Sequence, residues 1–195
     1  MDRDTVYKTF RKVPVLETKR LELRKLKASD YIDMYEYAKK DSVTKYLLWR
    51  SHPDAQYTRD YLRYVQTQYR AGEFFDWAIV LKRSGKMIGT CGFAKFDYDN
   101  NSAEIGYVIN PLYWRHGYAT EAVQRVIDFG FSKLNLHRIE ARYMIGNDAS
   151  RHVMEKCGME FEGVHKSSLY VKEQYVDIGY CAITSDMYIN SMYEI

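Results

Sequence analysis

Two stretches of the 195-residue chain hold residue types that could carry chemistry. The first, Glu104 to Ala122, begins as an alternating run through Ile105, Tyr107 and Ile109 and stops at Asn110-Pro111. A short basic loop with Arg115 and His116 follows, and a helix opens at Gly117. The free N–H groups of such a first turn point outward, and the helix dipole adds partial positive charge, so the stretch is a ready anion site. Glu104 is a carboxylate in an otherwise apolar strand. Partial burial would raise its pKa toward the range of a general base. The second stretch, Asn147 to Gly158, offers Ser150 as a hydroxyl donor or as the cap of its own helix. It also offers Cys157 as a nucleophile, which has no sequence-adjacent base.

Other chemistries find less support. The five histidines show no ligand spacing, so no metal is expected. Gly-x-Gly-x-x-Gly and P-loop patterns are absent, which argues against a dinucleotide or ATP enzyme. Net charge is +3 with no run of five Lys/Arg, too weak a basic signal to imply nucleic-acid binding. Three cysteines without CxxC spacing point away from a disulfide framework and toward a reducing cytoplasm. No signal peptide is evident in Met1-Asp2-Arg3-Asp4, and no apolar run approaches the roughly 18–20 residues of a bilayer span, so no membrane association is expected. The 19 tyrosines read as packing rings with one wet end, or as the wall of an aromatic cleft. A tyrosine-rich surface and a C-terminal strand would permit a homodimer.

The elements that must position these residues follow from periodicity. Arg20 to Arg24 alternates as a first strand, after residues of weak periodicity expected to form an N-terminal arm over 1–16 or a short extra element. Ser29 is expected to cap a helix over Asp30 to Lys39, with Tyr31, Met34 and Ala38 or Ile32, Tyr35 and Ala38 as its apolar stripe. A second helix runs from Thr58 to Tyr69 and stops at Ala71-Gly72. Residues 42–53 between them are irregular, and this whole N-terminal part is free to act as a substrate lid. Phe75 to Leu81, Lys86 to Lys95 and Ser102 to Ile109 form a meander. Gly89 and Gly92 signal a bulge or close backbone approach. A helix from Gly117 to Ser132 leads to the strand His137 to Ile145, which makes a parallel right-handed βαβ unit. A short helix over Ser150 to Cys157 and strands over Met159 to Val164 and Tyr175 to Ile183 follow. The fold class is α+β with a mixed, mostly antiparallel sheet. One domain spans 17–186, and a C-terminal tail spans 187–195.

The segment Arg115-His116-Gly117-Tyr118-Ala119-Thr120-Glu121-Ala122, just after a strand, resembles the acetyl-CoA-binding loop of the GCN5-related N-acetyltransferases, written Gln/Arg-x-x-Gly-x-Gly/Ala. Gly117 and Ala119 match, and Trp114 stands at the first position. Asn147-Asp148-Ala149-Ser150-Arg151-His152-Val153-Met154-Glu155-Lys156-Cys157-Gly158 resembles that family's second segment, in the right order and directly after the parallel strand. The resemblance covers residues 17–185. It is greatest with the Rim-type branch that acetylates ribosomal-protein N-termini, through Thr18-Lys19-Arg20-Leu21-Glu22-Leu23-Arg24, Glu104-Ile105-Gly106-Tyr107 and Tyr175-Val176-Asp177.

The resemblance implies a splayed cleft in which backbone groups of Tyr107, Val108 and Ile109 pair with the pantetheine arm of coenzyme A. The pyrophosphate would rest on Arg115, His116, Gly117, Tyr118, Ala119 and Thr120. Asn147 would bond pantetheine, and Arg151 or Lys156 would lie near the adenosine 3′-phosphate, unless they simply form a solvated helix face. Glu104 would serve as base, and Ser150 would stand in as acid, because Met154 occupies the place of the tyrosine common in the superfamily. The co-substrate would be acetyl-CoA and the acceptor a protein N-terminal amine or a small amine such as a polyamine, amino acid or aminoglycoside. At pH 7, neutralising an α-amine of pKa near 7.8 costs about 1 kcal/mol, and a lysine near 10.4 about 4.6 kcal/mol. An α-amine therefore asks little of its base. An acyl-CoA-binding module without catalysis is the rival from another class.

Overall fold

A computed structural model describes residues 2–193, with side chains through 190. Eight strands form one sheet in the order β1-β2-β3-β4-β5-β6-β8-β7. They are β1 (Leu16–Glu17), β2 (Leu21–Arg24), β3 (Asp76–Leu81), β4 (Met87–Asp97), β5 (Ser102–Ile109), β6 (Arg138–Met144), β7 (Glu160–Val171) and β8 (Gln174–Thr184). Every neighbour pair is antiparallel except β5 with β6. The helices are α1 (Arg3–Arg11), α2 (Tyr31–Ala38), α3 (Asp41–Thr44), α4 (Ala55–Ala71), α5 (Tyr118–Leu134), α6 (Asp148–Lys156) and α7 (Ser185–Tyr193). The α+β class, the meander and the single parallel crossover agree with the sequence reading.

α5 follows the buried stripe read from sequence. Ala122, Val123, Val126 and Ile127 are fully buried, and Asn135 ends the helix in the left-handed conformation. α4 starts earlier than Thr58. Asp54 accepts from Tyr57 N–H as its cap, while Thr58 lies buried within the helix. Ser29 does not cap α2. Asp30 instead closes a one-turn 3-10 segment by accepting from Lys27 N–H, and its carboxylate takes both Arg24 Nη atoms at 2.8 and 2.9 Å. Of the two stripes considered for α2, the one through Met34 and Ala38 is buried, while Ile32 is exposed.

Of the two readings of the N-terminal residues, an arm or a short extra element, the structure has the second: residues 3–11 form a helix capped by Asp2, whose Val6 and Phe10 are fully buried. Phe10 meets Phe75, Trp77, Phe93, Phe96 and Phe129 edge-on or tilted, with centroids 5.0 to 6.4 Å apart. Nine residues with two buried positions give too few repeats for a helical period to show. The tail begins as α7, where Tyr188 stacks on Phe131 at 4.8 Å and donates to Asp128, so it packs on α5; residues 194–195 lie outside the described residues. β7 runs seven residues beyond Val164 because Lys172 and Glu173, both at positive φ (50° and 70°), make a two-residue hairpin turn without glycine.

Two strand glycines answer to close approach. A Cβ on Gly89 would lie 2.1 Å from Val108 O, and one on Gly92 would lie 2.3 Å from Phe75 O. The neighbouring registers shift at Ile79/Val80 and at Phe93/Lys95.

Candidate active site

The site begins where the sheet opens. β5 pairs with β6 only through Ser102–Glu104 against Arg138–Glu140, so past Glu104 no ladder continues on that side. Asn110 N–H donates to Ile88 O, toward β4. By strand alternation the amides of Tyr107 and Ile109 face the other way, into the gap. Trp114, at the position that departs from the resembling motif, donates its indole N–H to Ile109 O at 2.7 Å. The motif's odd residue thus ties the loop to the strand end.

At one end of the gap lies the loop before α5. Gly117 precedes the helix at φ +76° and supplies no side-chain cap, so the first-turn N–H groups of 118–120 stay unsatisfied. Arg115 is also left-handed (φ 60°). His116 takes no catalytic position. It is exposed, its Nδ1 lies 2.6 Å from Trp114 O, and its ring stacks on Tyr118. Sequence reasoning missed the clamp behind this loop. Glu121 accepts from Thr18 Oγ1 at 2.6 Å, Arg20 N–H at 2.9 Å and Arg20 Nε at 2.6 Å. Those bonds outweigh the opposing effect of burial and lower its pKa. Arg20 also donates to His116 O and covers the Tyr118 ring. About a hundred residues separate these partners, so no local signal marks the pair.

At the other end is α6. Asn147 caps it by accepting from Ser150 N–H and lines the cleft. Tyr107, expected to contribute only its backbone, reaches across with its side chain. Its hydroxyl donates to Ser150 O at 2.8 Å and lies 2.9 Å from Ser150 Oγ. Burial, only partly opposed by that bond, raises the Tyr107 pKa, so the phenol keeps its proton. Met154, one turn further, is buried and lines the same cavity. Arg151 is engaged by its neighbours. Its Nε donates to Glu155 at 2.7 Å and its guanidinium covers Phe161 on β7. Lys156 ends α6 as an exposed residue. Cys157 is buried with its pKa pushed up to about 12 by burial, and its thiol faces Thr120 O, so a thiolate route has no support.

Glu104 faces the cleft with its side chain 15% exposed, and it is paired rather than isolated: Arg142 Nε donates to Oε1 at 2.7 Å. Two cavities of about 280 Å³ each meet here, sharing Leu47, Trp49, Ala94, Gly106 and Tyr107. One reaches Glu104, Asn147 and Ser150, and the other reaches Glu73, Asp76 and Thr90. The two cavities adjoin at Gly106 and Tyr107, beside the gap. The roof is the irregular segment around Trp49, joined to the β7–β8 hairpin tip where Lys172 Nζ donates to Thr44 O and Arg50 pairs with Glu173 at 3.0 Å. Among the described residues no group of three or more His, Cys, Asp or Glu is placed to hold a metal. No helix among the described residues is long and apolar enough to cross a membrane.

Comparison with known proteins agrees with this geometry. The family model "Acetyltransferase (GNAT) domain" matches residues 20–160. The chain is 34% identical over 163 residues to the uncharacterized N-acetyltransferase p20 of Bacillus licheniformis, covering 84% of this chain and 92% of the relative. The crystal structure of a GNAT-family acetyltransferase from Bacillus anthracis superposes with a TM-score of 0.80 at 30% identity, covering 89% of this chain and 99% of that one. The ribosomal-protein S5-alanine acetyltransferase of Vibrio fischeri superposes with a TM-score of 0.75 at 25% identity, covering 89% and 97%. With its open sheet and these matches, the chain belongs to the GCN5-related N-acetyltransferases, enzymes that use acetyl-CoA.

Proposed function

We propose that this enzyme transfers acetyl from acetyl-CoA to a primary amine by direct attack of the bound amine on the thioester. The observation that carries this reading is the pair of adjoining cavities beside the gap between β5 and β6. Asn147 and Ser150 line the cavity next to α6, and the adjoining cavity next to α4 is lined by Glu73 and Asp76 with no lysine or arginine. First-turn N–H groups of 118–120, with Arg115 and His116 beside them, would hold the pyrophosphate, and Asn147 the pantetheine. Arg151, held by Glu155, or the exposed Lys156 would lie near the 3′-phosphate. Acetyl-CoA supplies an activated acyl group whose thiolate, with a free pKa near 8.5, leaves readily at neutral pH.

Glu104 would hold the acceptor or an attacking-side water through Oε2, its Oε1 being fixed by Arg142. Ser150 would pass a proton to the leaving thiolate. Tyr107 spends its own proton on Ser150 O, which orients the residue that must act. Met154 favours the rival binding-module reading, since a thioether donates no proton. The Tyr107–Ser150 pair supplies a donor one turn away. A protein N-terminus, as for the S5-alanine relative, is the acceptor favoured by the small deprotonation cost of an α-amine. A small polyamine is the alternative, as the name of a 29%-identical relative, spermidine N(1)-acetyltransferase of Vibrio cholerae, suggests. The expected homodimer would use the exposed Tyr170 and Tyr175, whose rings meet at the hairpin tip. A cytoplasmic location suits acetyl-CoA as co-substrate.

The test follows free CoA release with N-terminally free peptides and small amines. The native chain should turn over at least one of them, and Glu104→Gln should keep acetyl-CoA affinity while losing on the order of 100-fold in kcat. CoA binding without turnover of any acceptor would favour the binding module.

A further inference from the structure

The carboxylate of Asp76 has a setting that the reaction as described does not use. Asp76 opens β3, directly across from Gly92 on β4, which in turn lies across from Gly106 on β5. Two successive glycines leave a groove floored by backbone, about two strand spacings or roughly 10 Å wide, from β3 to the strand that borders the gap. The Asp76 carboxylate leans into that groove. Its Oδ1 lies 2.4 Å from where a Cβ on Gly92 would be, while a Cβ on Gly106 would meet nothing within 4 Å. Among the described residues no side chain or amide donates to the Asp76 carboxylate, and no lysine or arginine lines its cavity. Glu104, by contrast, is held by Arg142 on the other side of Gly106.

We propose that Asp76 is the catalytic residue that receives the acceptor's ammonium group and takes its proton, with Glu73 at the cavity mouth and Trp49 forming the entrance for a cationic amine. The proposal rests on the acetyltransferase reading above and adds the base and the acceptor's path to it. The proton balance is complete. R–NH₃⁺ gives one proton to Asp76, which later releases it to solvent through the mouth. The neutral nitrogen forms the C–N bond, and the C–S bond breaks. The second nitrogen proton ends on the CoA thiolate by way of Ser150.

The electrostatics support the geometry. Burial pushes the Asp76 pKa up to about 7, close to the 7.8 of an α-amine, so proton transfer between them is nearly balanced. The other titratable groups facing it do not change charge near pH 7. Tyr37 on α2, Tyr61 and Tyr69 on α4 and Cys91 on β4 are all raised by burial above values already at or beyond 9. Behind Trp49, His52 is lowered from 6.5 by burial and titrates on the acid side.

The experiment measures kcat/KM against pH for the full chain and for Asp76→Asn, with alaninamide and spermidine as acceptors. It also measures calorimetric binding of both amines to the CoA-loaded protein. The native enzyme should show an acid limb near pH 7. Asp76→Asn should keep its acetyl-CoA affinity, fall on the order of 100-fold at pH 7.5 and lose that limb. Turnover within threefold of native with the limb intact would overturn the proposal and leave the base to Glu104 or water. If neither amine is turned over by the native chain, the broader reading fails for these acceptors and binding decides. Amine affinity that rises from pH 6 to 8 and vanishes in Asp76→Asn supports the assignment; affinity indifferent to Asp76 refutes it. Gly106→Val, which fits open space, is the second variant. It should raise the acceptor KM about tenfold with acetyl-CoA affinity unchanged, and an unchanged acceptor KM would count against the path.

Discussion

Gly117 stands at φ +76°, and a Cβ there would lie 3.4 Å from the Arg20 guanidinium. An alanine in this conformation costs about 1 kcal/mol of backbone strain, and its methyl intrudes beside the N–H groups proposed for the pyrophosphate. Gly117→Ala should therefore raise the KM for acetyl-CoA about tenfold and leave kcat nearly unchanged. An interaction far from the reacting carbonyl binds ground and transition states alike. Steady-state kinetics at saturating acceptor check this, and a fall in kcat with constant KM would contradict it. The same residue scale shows what local sequence conceals. Glu104 was legible as a carboxylate on a strand, but its partner Arg142 is 38 positions away and became its neighbour only through the parallel register of β5 and β6.

At the scale of elements, α1 and α7 are the informative cases. Each is only nine residues long, too short for its period to stand out (α1 reads from sequence as an arm or a short extra element, α7 as a tail), yet each inserts an aromatic into a core built by others. Phe10 is fully buried among five aromatic rings, so Phe10→Ala should destabilise the enzyme by about 3–5 kcal/mol, read as a lower midpoint in denaturant unfolding. A loss below 1 kcal/mol would mean that α1 is dispensable, as an arm would be. Long elements with many repeats of their period, such as α5 and β5, were placed within two residues. The turn at Lys172-Glu173 was not, because non-glycine residues there hide the left-handed conformation that a hairpin needs.

At the scale of the whole molecule, Asp76 costs stability in a pH-dependent way. Burial holds its folded pKa at about 7, above the ordinary 3.8 of an aspartate, so between about pH 4 and 7 the unfolded chain binds fewer protons than the native one. Native stability from this group is greatest below pH 4, declines up to pH 7 and is level above. Asp76→Asn should therefore melt higher than the native enzyme at pH 8, by on the order of 2 kcal/mol after discounting for solvent entering through the cavity mouth. The advantage should shrink to nothing near pH 4. Thermal unfolding of both proteins across that range checks the sign, and a gap that widens toward acid would refute it. A carboxylate kept desolvated at a cost in stability is consistent with the role proposed for Asp76.

The sequence by itself determined what contiguous residues can encode: the strand periods, the glycine-opened helix with its outward N–H groups, the short helix after β6 (with Ser150 considered as its cap, where the structure has Asn147) and, through their order, the family. Such features depend on backbone conformations set within a few residues of the chain. Only the tertiary structure decided that Arg20 and Glu121 clamp the loop and that Tyr107 meets Ser150. It also decided that Asp76, Gly92 and Gly106 fall in one row across three strands. These are matters of register and bulge position. A one-residue slip in any of those strands would turn the side chains to the opposite face of the sheet and remove the row.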